Sequence, residues 1–190
     1  EHQKKHSDEY YYKVRKTHVT DPIERAARFI YLNRTCFNGL YRVNFKGEFN
    51  VPRGSKNSVI LDTDNFEELA KILKDASIKT SDFEELINLA EEGDLVFADP
   101  PYTVRHNLNG FIKYNEKLFS WDDQIRLADA LLRARDRGVQ IVSTNANHEF
   151  VRELYADRYF DFETVSRYSS ISAKKSSRNQ YEELVVYAIS

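Results

Sequence analysis

Methionine is missing from all 190 residues, and cysteine occurs once, at Cys36. A single thiol excludes an internal disulfide and suits a reducing compartment, so a cytoplasmic setting is expected. Following Thr35 and not a proline, Cys36 reads as a small core residue. Glycine is sparse: six, at 39, 47, 54, 93, 110 and 138, never clustered. No Gly-x-Gly turn of the kind that cradles nucleotides is present. Proline is rarer still, with four, two of them consecutive. No apolar run nears the roughly 20 residues of a membrane helix, and no secretory leader is visible. A membrane partner is therefore not expected. The five histidines are scattered, with His2 and His6 alone at helical spacing in a polar stretch, so no metal site is expected.

Charge of one sign is scarce only locally. The formal net charge is −2. Residues 1–58 nevertheless carry twelve Lys and Arg against six Asp and Glu, while residues 59–190 carry sixteen against twenty-four. A basic start beside an acidic body suggests a face for a polyanion. The overall balance would hide it.

Neither internal repeats nor low-complexity tracts occur. Residues 1–18 are polar, interrupted by Tyr10-Tyr-Tyr-Lys-Val-Arg15. Asp21-Pro22-Ile23-Glu24 predicts a helix start, with a cap, a first-turn proline and an acidic first turn. That helix should run to Arg34 or Thr35 and break at Asn38-Gly39. Val43 to Val51, turning near Lys46-Gly47, predicts a β-hairpin. The character changes near Ser58, which sets expected regions of 1–57 and 58–190. In the second, Ser58–Leu61 and Ala76–Lys79 read as short strands. Asn65 to Asp75 reads as a helix, and a second helix starts at a Ser81/Glu84 capping box and closes at Gly93. Leu95 to Ala98 follows as a strand. Beyond a polar loop over Tyr102–Leu118 come a helix capped by Ser120 and Asp123 and a strand over Val139–Val142. A short helix over His148–Tyr155 leads to an antiparallel pair, Phe162–Tyr168 with Glu183–Ile189, linked by a polar, basic stretch. Strand–helix alternation of this kind makes an α/β sheet.

The most informative stretch is Asp94-Leu-Val-Phe-Ala-Asp-Pro-Pro-Tyr102. A short apolar strand ends in a carboxylate, two residues without amide hydrogens, and an aromatic ring. Consecutive prolines cannot continue a ladder, so the chain must turn out of the sheet. The carboxyl end of a strand in an open α/β sheet is where ligands bind.

Asp99-Pro100-Pro101-Tyr102 resembles the catalytic motif of amino-group methyltransferases that use S-adenosylmethionine. A second block, Tyr31-Leu-Asn-Arg-Thr-Cys-Phe-Asn-Gly-Leu-Tyr-Arg-Val-Asn-Phe-Lys-Gly-Glu-Phe-Asn-Val-Pro52, resembles the target-recognition segment of the Dam-like DNA adenine N6-methyltransferases. Gln180-Tyr-Glu-Glu-Leu-Val-Val186 is similar to their closing strand. The resemblance implies part of a Rossmann-like methyltransferase sheet with a small helical and β-hairpin recognition domain. It implies that Asp99 and the Pro100 carbonyl accept hydrogen bonds from the amino group of a flipped adenine, with Pro101 in the turn and Tyr102 stacking on the base. Asp99 and Tyr102 would also border the cofactor, S-adenosylmethionine. Asn38, Leu40, Arg42 and Pro52 would meet target base pairs, Arg34 and Arg53 would instead hold phosphates, and Lys56 would belong to the same DNA-binding set. Asn145, in Ser143-Thr-Asn145 after the next strand, either shapes the base pocket or satisfies its own backbone. After Pro52 the run Arg53-Gly-Ser-Lys-Asn57 departs from the aromatic-rich run of GATC-reading relatives.

The family's Gly-rich cofactor loop has no counterpart here, and family order would place it upstream of residue 1. The expectation is a fragment: the recognition region and catalytic half of a methyltransferase acting on duplex DNA in a prokaryotic or phage setting. The absent part would be an N-terminal half or be replaced by a second copy. The alternatives are a non-catalytic DNA-binding piece, one half of a split enzyme, or methylation of RNA or of a cytosine amino group. Motifs for those last acceptors usually begin with Asn or Ser, so Asp99 favours adenine.

Overall fold

The computed structural model describes residues 1–102, 119–168 and 180–189. The expected loop over Tyr102–Leu118, beyond Tyr102 itself, and the expected basic linker before Gln180 lie outside them. The chain gathers into two compact units, Glu1–Ser77 and Ile78–Ser190. Composition alone had suggested a boundary at 57/58.

The first unit holds helices α1 (His2–Lys5), α2 (Asp8–Lys16), α3 (Pro22–Thr35) and α4 (Phe66–Lys74), with a short 3-10 turn at Phe37–Gly39. The interrupted polar start is thus a helix. Ser7 caps it by accepting from the Tyr10 amide, and Tyr11 and Val14, three residues apart, are buried on one face. Asp21 caps α3 through the Glu24 amide at 2.9 Å, with Pro22 in the first turn, as the sequence predicts. Asn38 ends the run with a left-handed φ of 54°. The core is Tyr11, Val14, Tyr31, Leu32, Cys36, Phe49, Val51 and Val59, so Cys36 is the buried small residue expected.

The expected hairpin and the two short strands that follow it do not form regular strands. The Val43–Val51 hairpin is a tight reversal with a single bridge, Val43 to Phe49. Asn44 is the cause: its Oδ1 accepts from the Lys46 and Glu48 amides, taking donors a ladder would need. Ser58–Leu61 is irregular because side chains claim its amides. Val59 and Ile60 donate to Gln3 Oε1 at 2.6 and 3.1 Å, and Leu61 donates to Asp64 at 2.8 Å. Ala76–Lys79 is also irregular. On α4 the apolar stripe Phe66, Leu69, Ile72, Leu73 is present but exposed.

The second unit orders its strands β1 (Leu95–Ala98), β2 (Gln140–Ala146), β4 (Gln180–Ala188) and β3 (Asp161–Tyr168) across one mixed sheet. β1 and β2 are parallel; β4 runs antiparallel to β2 and to β3. The terminal antiparallel pair is therefore as predicted. Helices α5 (Phe83–Asn88), α6 (Trp121–Arg135) and α7 (Glu149–Ala156) complete it. α5 is shorter than expected and is capped by Asp82, not Ser81. α6 begins with the full Ser120/Asp123 capping box. Its buried stripe is Gln124, Leu127, Ala128, Leu131 and Ala134, which leaves Ile125 and Leu132 half-buried. With Ile141, Val151, Leu184 and Val186 this stripe forms an aliphatic core on one face of the sheet.

Candidate functional site

Strand alternation decides which side chains share a face. On β1, Leu95 and Phe97 are exposed, while Val96 and Ala98 pack on the aliphatic core. Asp99 continues the exposed series and Pro100 the buried one. The two prolines end the ladder, because neither offers an amide hydrogen. Asp99 thus stands at the carboxyl end of β1, on the open face, with Tyr102 half-buried just beyond. A cleft of about 630 Å³ runs past this point, lined by β1, Asp99 to Pro101, Phe83 and Ile87 of α5, Phe119, and Asp123 and Leu127 of α6. Among the described residues β1 is an edge strand.

β2 is longer than expected, and Ser143, Thr144 and Asn145 lie inside it, not after it. This corrects their placement and separates their roles. Ser143 and Asn145 point to the closed face and are fully buried. Asn145 Oδ1 accepts from the next amide, Ala146, at 2.9 Å, and its Nδ2 is buried without a partner among the described residues. Thr144 faces the open side, where its hydroxyl donates to Asp99 Oδ1 at 2.6 Å. Beneath β2, Gln124 Nε2 donates to the Tyr155 hydroxyl at 3.1 Å. Burial pushes that phenol up to about 12.

In the first unit the expected DNA-reading residues divide into exposed and committed ones. Asn38, Arg42, Pro52 and Lys56 are exposed, and Leu40 is half-buried. Arg42 Nε donates to Asn50 at 2.9 Å. Arg34 is held by a bidentate pair with Asp64 at 2.8 and 3.1 Å. The Arg34 guanidinium and the Leu61 amide hold the Asp64 carboxyl below the usual carboxylate range. Arg53 pairs with Asp8 at 2.8 Å and donates to Asn57 at 2.6 Å. His2 stacks on Tyr31 with ring centres 4.8 Å apart, and His6 Nδ1 lies 2.9 Å from the Tyr31 hydroxyl. These histidines serve packing.

Sequence reasoning missed a basic concavity in this unit, of about 1390 Å³. Arg15, Lys16, His18, Arg25, Arg28 and Lys46 line it, with Glu48 as the one acid among its described lining residues. The signal was the local basic surplus, whose residues come together only when α2, α3 and the Asn44 reversal fold. Thr144 was missed too. The expected strand, Val139–Val142, stopped short of it, and the pairing of Ala98 with Ser143 that brings Thr144 beside Asp99 appears only in the folded sheet.

A four-stranded mixed sheet, with Asp-Pro-Pro-Tyr leaving the carboxyl end of a parallel strand, is consistent with a methyltransferase-type fold. The chain belongs to the D12 class N6 adenine-specific DNA methyltransferases, whose family model matches residues 1–171. It is 37% identical over 194 residues to the type II methyltransferase M1.LlaDCHI of Lactococcus lactis subsp. cremoris, covering 97% of this chain and 68% of that protein. It is 38% identical to the type II methyltransferase M.MjaIII of Methanocaldococcus jannaschii, covering 94% of this chain and 64% of that protein. The DNA adenine methylase of Haemophilus influenzae is 33% identical, with 94% and 62% covered. The chain thus spans roughly two-thirds of the length of these relatives. No helix among the described residues is long and apolar enough to cross a membrane.

Proposed function

We propose that this chain carries the acceptor-base pocket and the target-reading surface of a DNA adenine-N6 methyltransferase acting on duplex DNA. The observation that carries it is an exposed carboxylate at a strand end, beside a cleft, followed by two prolines and a tyrosine. Adenine's amino nitrogen is a weak nucleophile because its lone pair is delocalised into the ring. Acceptors placed at both of its hydrogens favour the tetrahedral nitrogen that can form a new bond. Asp99 and the Pro100 carbonyl are those acceptors in this reading, acting by preorganised electrostatics. The N–C bond would form as the donor's S–C bond breaks to leave a thioether, and one N6 proton is lost, with the carboxylate as its first acceptor on the way to solvent.

The base must leave the duplex to reach such a site. Stacking on Tyr102 offsets part of that cost, on a scale of about 1–3 kcal/mol. Asn38, Leu40, Arg42 and Pro52 would read base edges, with Arg42 suited to a guanine. The basic concavity and Lys56 would take phosphates. Arg34 and Arg53 are braced by Asp64 and Asp8, so a backbone contact from either would begin from a fixed side chain. A duplex DNA substrate is the reason to place the reaction in the cytoplasm.

S-adenosylmethionine, the donor the family implies, supplies an electrophilic methyl carbon. The described residues do not form its glycine cradle. Gly93 and Gly138, with φ of 89° and 88°, precede β1 and β2 and so lie at the strand ends opposite Asp99. Asp99 and Tyr102 would only border the donor. Among the described residues β1 pairs on one side only, which supports a further strand pairing there, from an N-terminal half or a second copy.

The test is methyl incorporation into defined oligonucleotides with the complete open reading frame encoding this chain. Asp99→Ala should lower the rate by at least about 100-fold, the scale of removing one preorganised group, with DNA affinity little changed. Near-parental turnover would remove Asp99 from the chemistry. Calorimetric titration of this chain with S-adenosylmethionine separates a competent enzyme, which binds, from a piece that only binds DNA.

A further inference from the structure

Two of the donors that usually support an aspartate at a turn are missing beside Asp99. Such a side chain commonly accepts from the amides one to three residues ahead. Here the next two residues are Pro100 and Pro101, which have no amide hydrogen to give. The side chain is also exposed, so packing does not fix its rotamer. What reaches it among the described residues is the Thr144 hydroxyl, at 2.6 Å from Oδ1.

The register makes this contact a product of the sheet. Ala98 pairs with Ser143 in the parallel ladder, so Asp99 and Thr144 stand one position further along neighbouring strands, on the same face. Thr144 is itself held, because it pairs with Val185 of β4 on its other side. As a β-branched residue in a strand it has few χ1 choices. A donor on a central strand therefore meets an acceptor at the end of β1, an edge strand among the described residues. Binding one carboxylate oxygen sets the plane of the group and leaves Oδ2 for another donor.

We infer that Thr144 is a positioning residue: its hydroxyl holds Asp99 Oδ1 so that Oδ2 faces the amino group of the target base. This rests on the assignment of Asp99 as an amine acceptor. Adjacent Asn145 has no part in it, since its side chain lies on the closed face. Misplacing a reacting group by about 1 Å costs on the order of 100-fold in rate, so the loss of this hydroxyl should be visible in the chemical step.

The experiment compares parent, Thr144→Val, Thr144→Ser and Asp99→Ala in the complete open reading frame. Single-turnover methyl transfer, KM for DNA and melting temperature are measured. DNA affinity is measured for duplexes with adenine or deoxynebularine at the target position; the latter lacks only the amino group. T144V should transfer about 10- to 100-fold more slowly, with KM for DNA and melting temperature near parental. T144S should recover most of the rate, because it restores the hydroxyl. The preference for adenine over deoxynebularine should shrink in T144V and return in T144S. A merely structural Thr144 would weaken both duplexes equally, and that result overturns the proposal, as does a parental rate for T144V. If T144V does not fold, Thr144→Ala removes the hydroxyl without adding bulk and is read the same way. An inactive D99A with a fully active T144V rejects the role of Thr144 alone. A fully active D99A rejects the assignment of Asp99 on which it rests.

Discussion

The two units are held together in different ways. In residues 1–77 side chains tie the backbone. Tyr11 donates its hydroxyl to the Val51 carbonyl at 3.0 Å, and Arg15 donates to the same oxygen at 3.1 Å. Arg28 spans the carbonyls of Val14 and Arg15 at 2.9 and 2.8 Å. Gln3 and Asp64 hold the segment from Val59 to Leu61. In residues 78–190 the backbone ties itself, through three strand pairings over a core of Leu127, Leu131, Ile141, Leu184 and Val186. Each arrangement suits its proposed task. A reading surface needs irregular loops held in fixed shapes, and an acceptor site needs a stiff strand end.

If that contrast is real, damage should stay within one unit. The largest effect is expected from Leu131→Ala. Leu131 is fully buried on α6, and such a truncation costs about 2–5 kcal/mol. Amide hydrogen exchange should rise across β1, α6 and β2 while α2 and α3 keep their protection. Equal loss of protection in both regions would break the comparison.

Gly54→Ala attacks the other unit. The Gly54 amide donates to the Thr35 carbonyl at 2.8 Å, and an added Cβ would sit 2.5 Å from the Cys36 carbonyl oxygen. Backbone must move, at a cost of about 1–3 kcal/mol. Protection should fall around Cys36, Val51 and Val59 with the sheet unaffected. Because the segment follows Pro52, DNA affinity should fall as well. Unchanged binding would separate this loop from the reading surface.

The same contrast explains what could be read from the sequence. β1, β2, α6 and the closing antiparallel pair were legible because pattern and caps are local: an apolar run bounded by Gly93 and Pro100, and Ser120 three residues before Asp123. Asp21-Pro22 announced α3 for the same reason. Ser58–Leu61 misled because Ser-Val-Ile-Leu has strand composition, while the acceptor for two of its amides is Gln3, more than fifty residues earlier. α2 was missed because its tyrosines look polar in a charged stretch, and Tyr11 is buried only once Val51 meets its hydroxyl. At the candidate site, the motif itself was plain. The alternation that sends Thr144 to Asp99 and Asn145 away from it required β2 to extend beyond Val142, and no residue there marks the end of the strand.

A smaller effect is expected at the cap of α6. Ser120 accepts from the Asp123 amide at 3.1 Å and donates its hydroxyl to Asp123 at 2.8 Å. Ser120→Ala should cost about 1 kcal/mol, seen as faster exchange in the first turn of α6 alone. If protection fell along β2 as well, the cap would be coupled to the ladder more tightly than a local cap should be.

The smallest effect, and the one with a pH signature, concerns Arg34 and Asp64. Arg34, then the Leu61 amide, depresses the Asp64 carboxyl below its unfolded value. A depressed carboxylate adds stability that is fully present above its unfolded pKa, near 4, and lost as pH falls through the lower folded value. Asp64→Asn should therefore destabilise the first unit at neutral pH, and its difference from the parent should close below about pH 4. The pair is partly exposed, at 30% for Arg34 and 11% for Asp64, so added salt should shrink the difference only in part. Exchange at Val59 to Leu61 reads it directly, because Asp64 also accepts from the Leu61 amide. A difference that persisted at acid pH would mean that Asp64 holds this segment by its hydrogen bond to Leu61, with the charge on Arg34 contributing little.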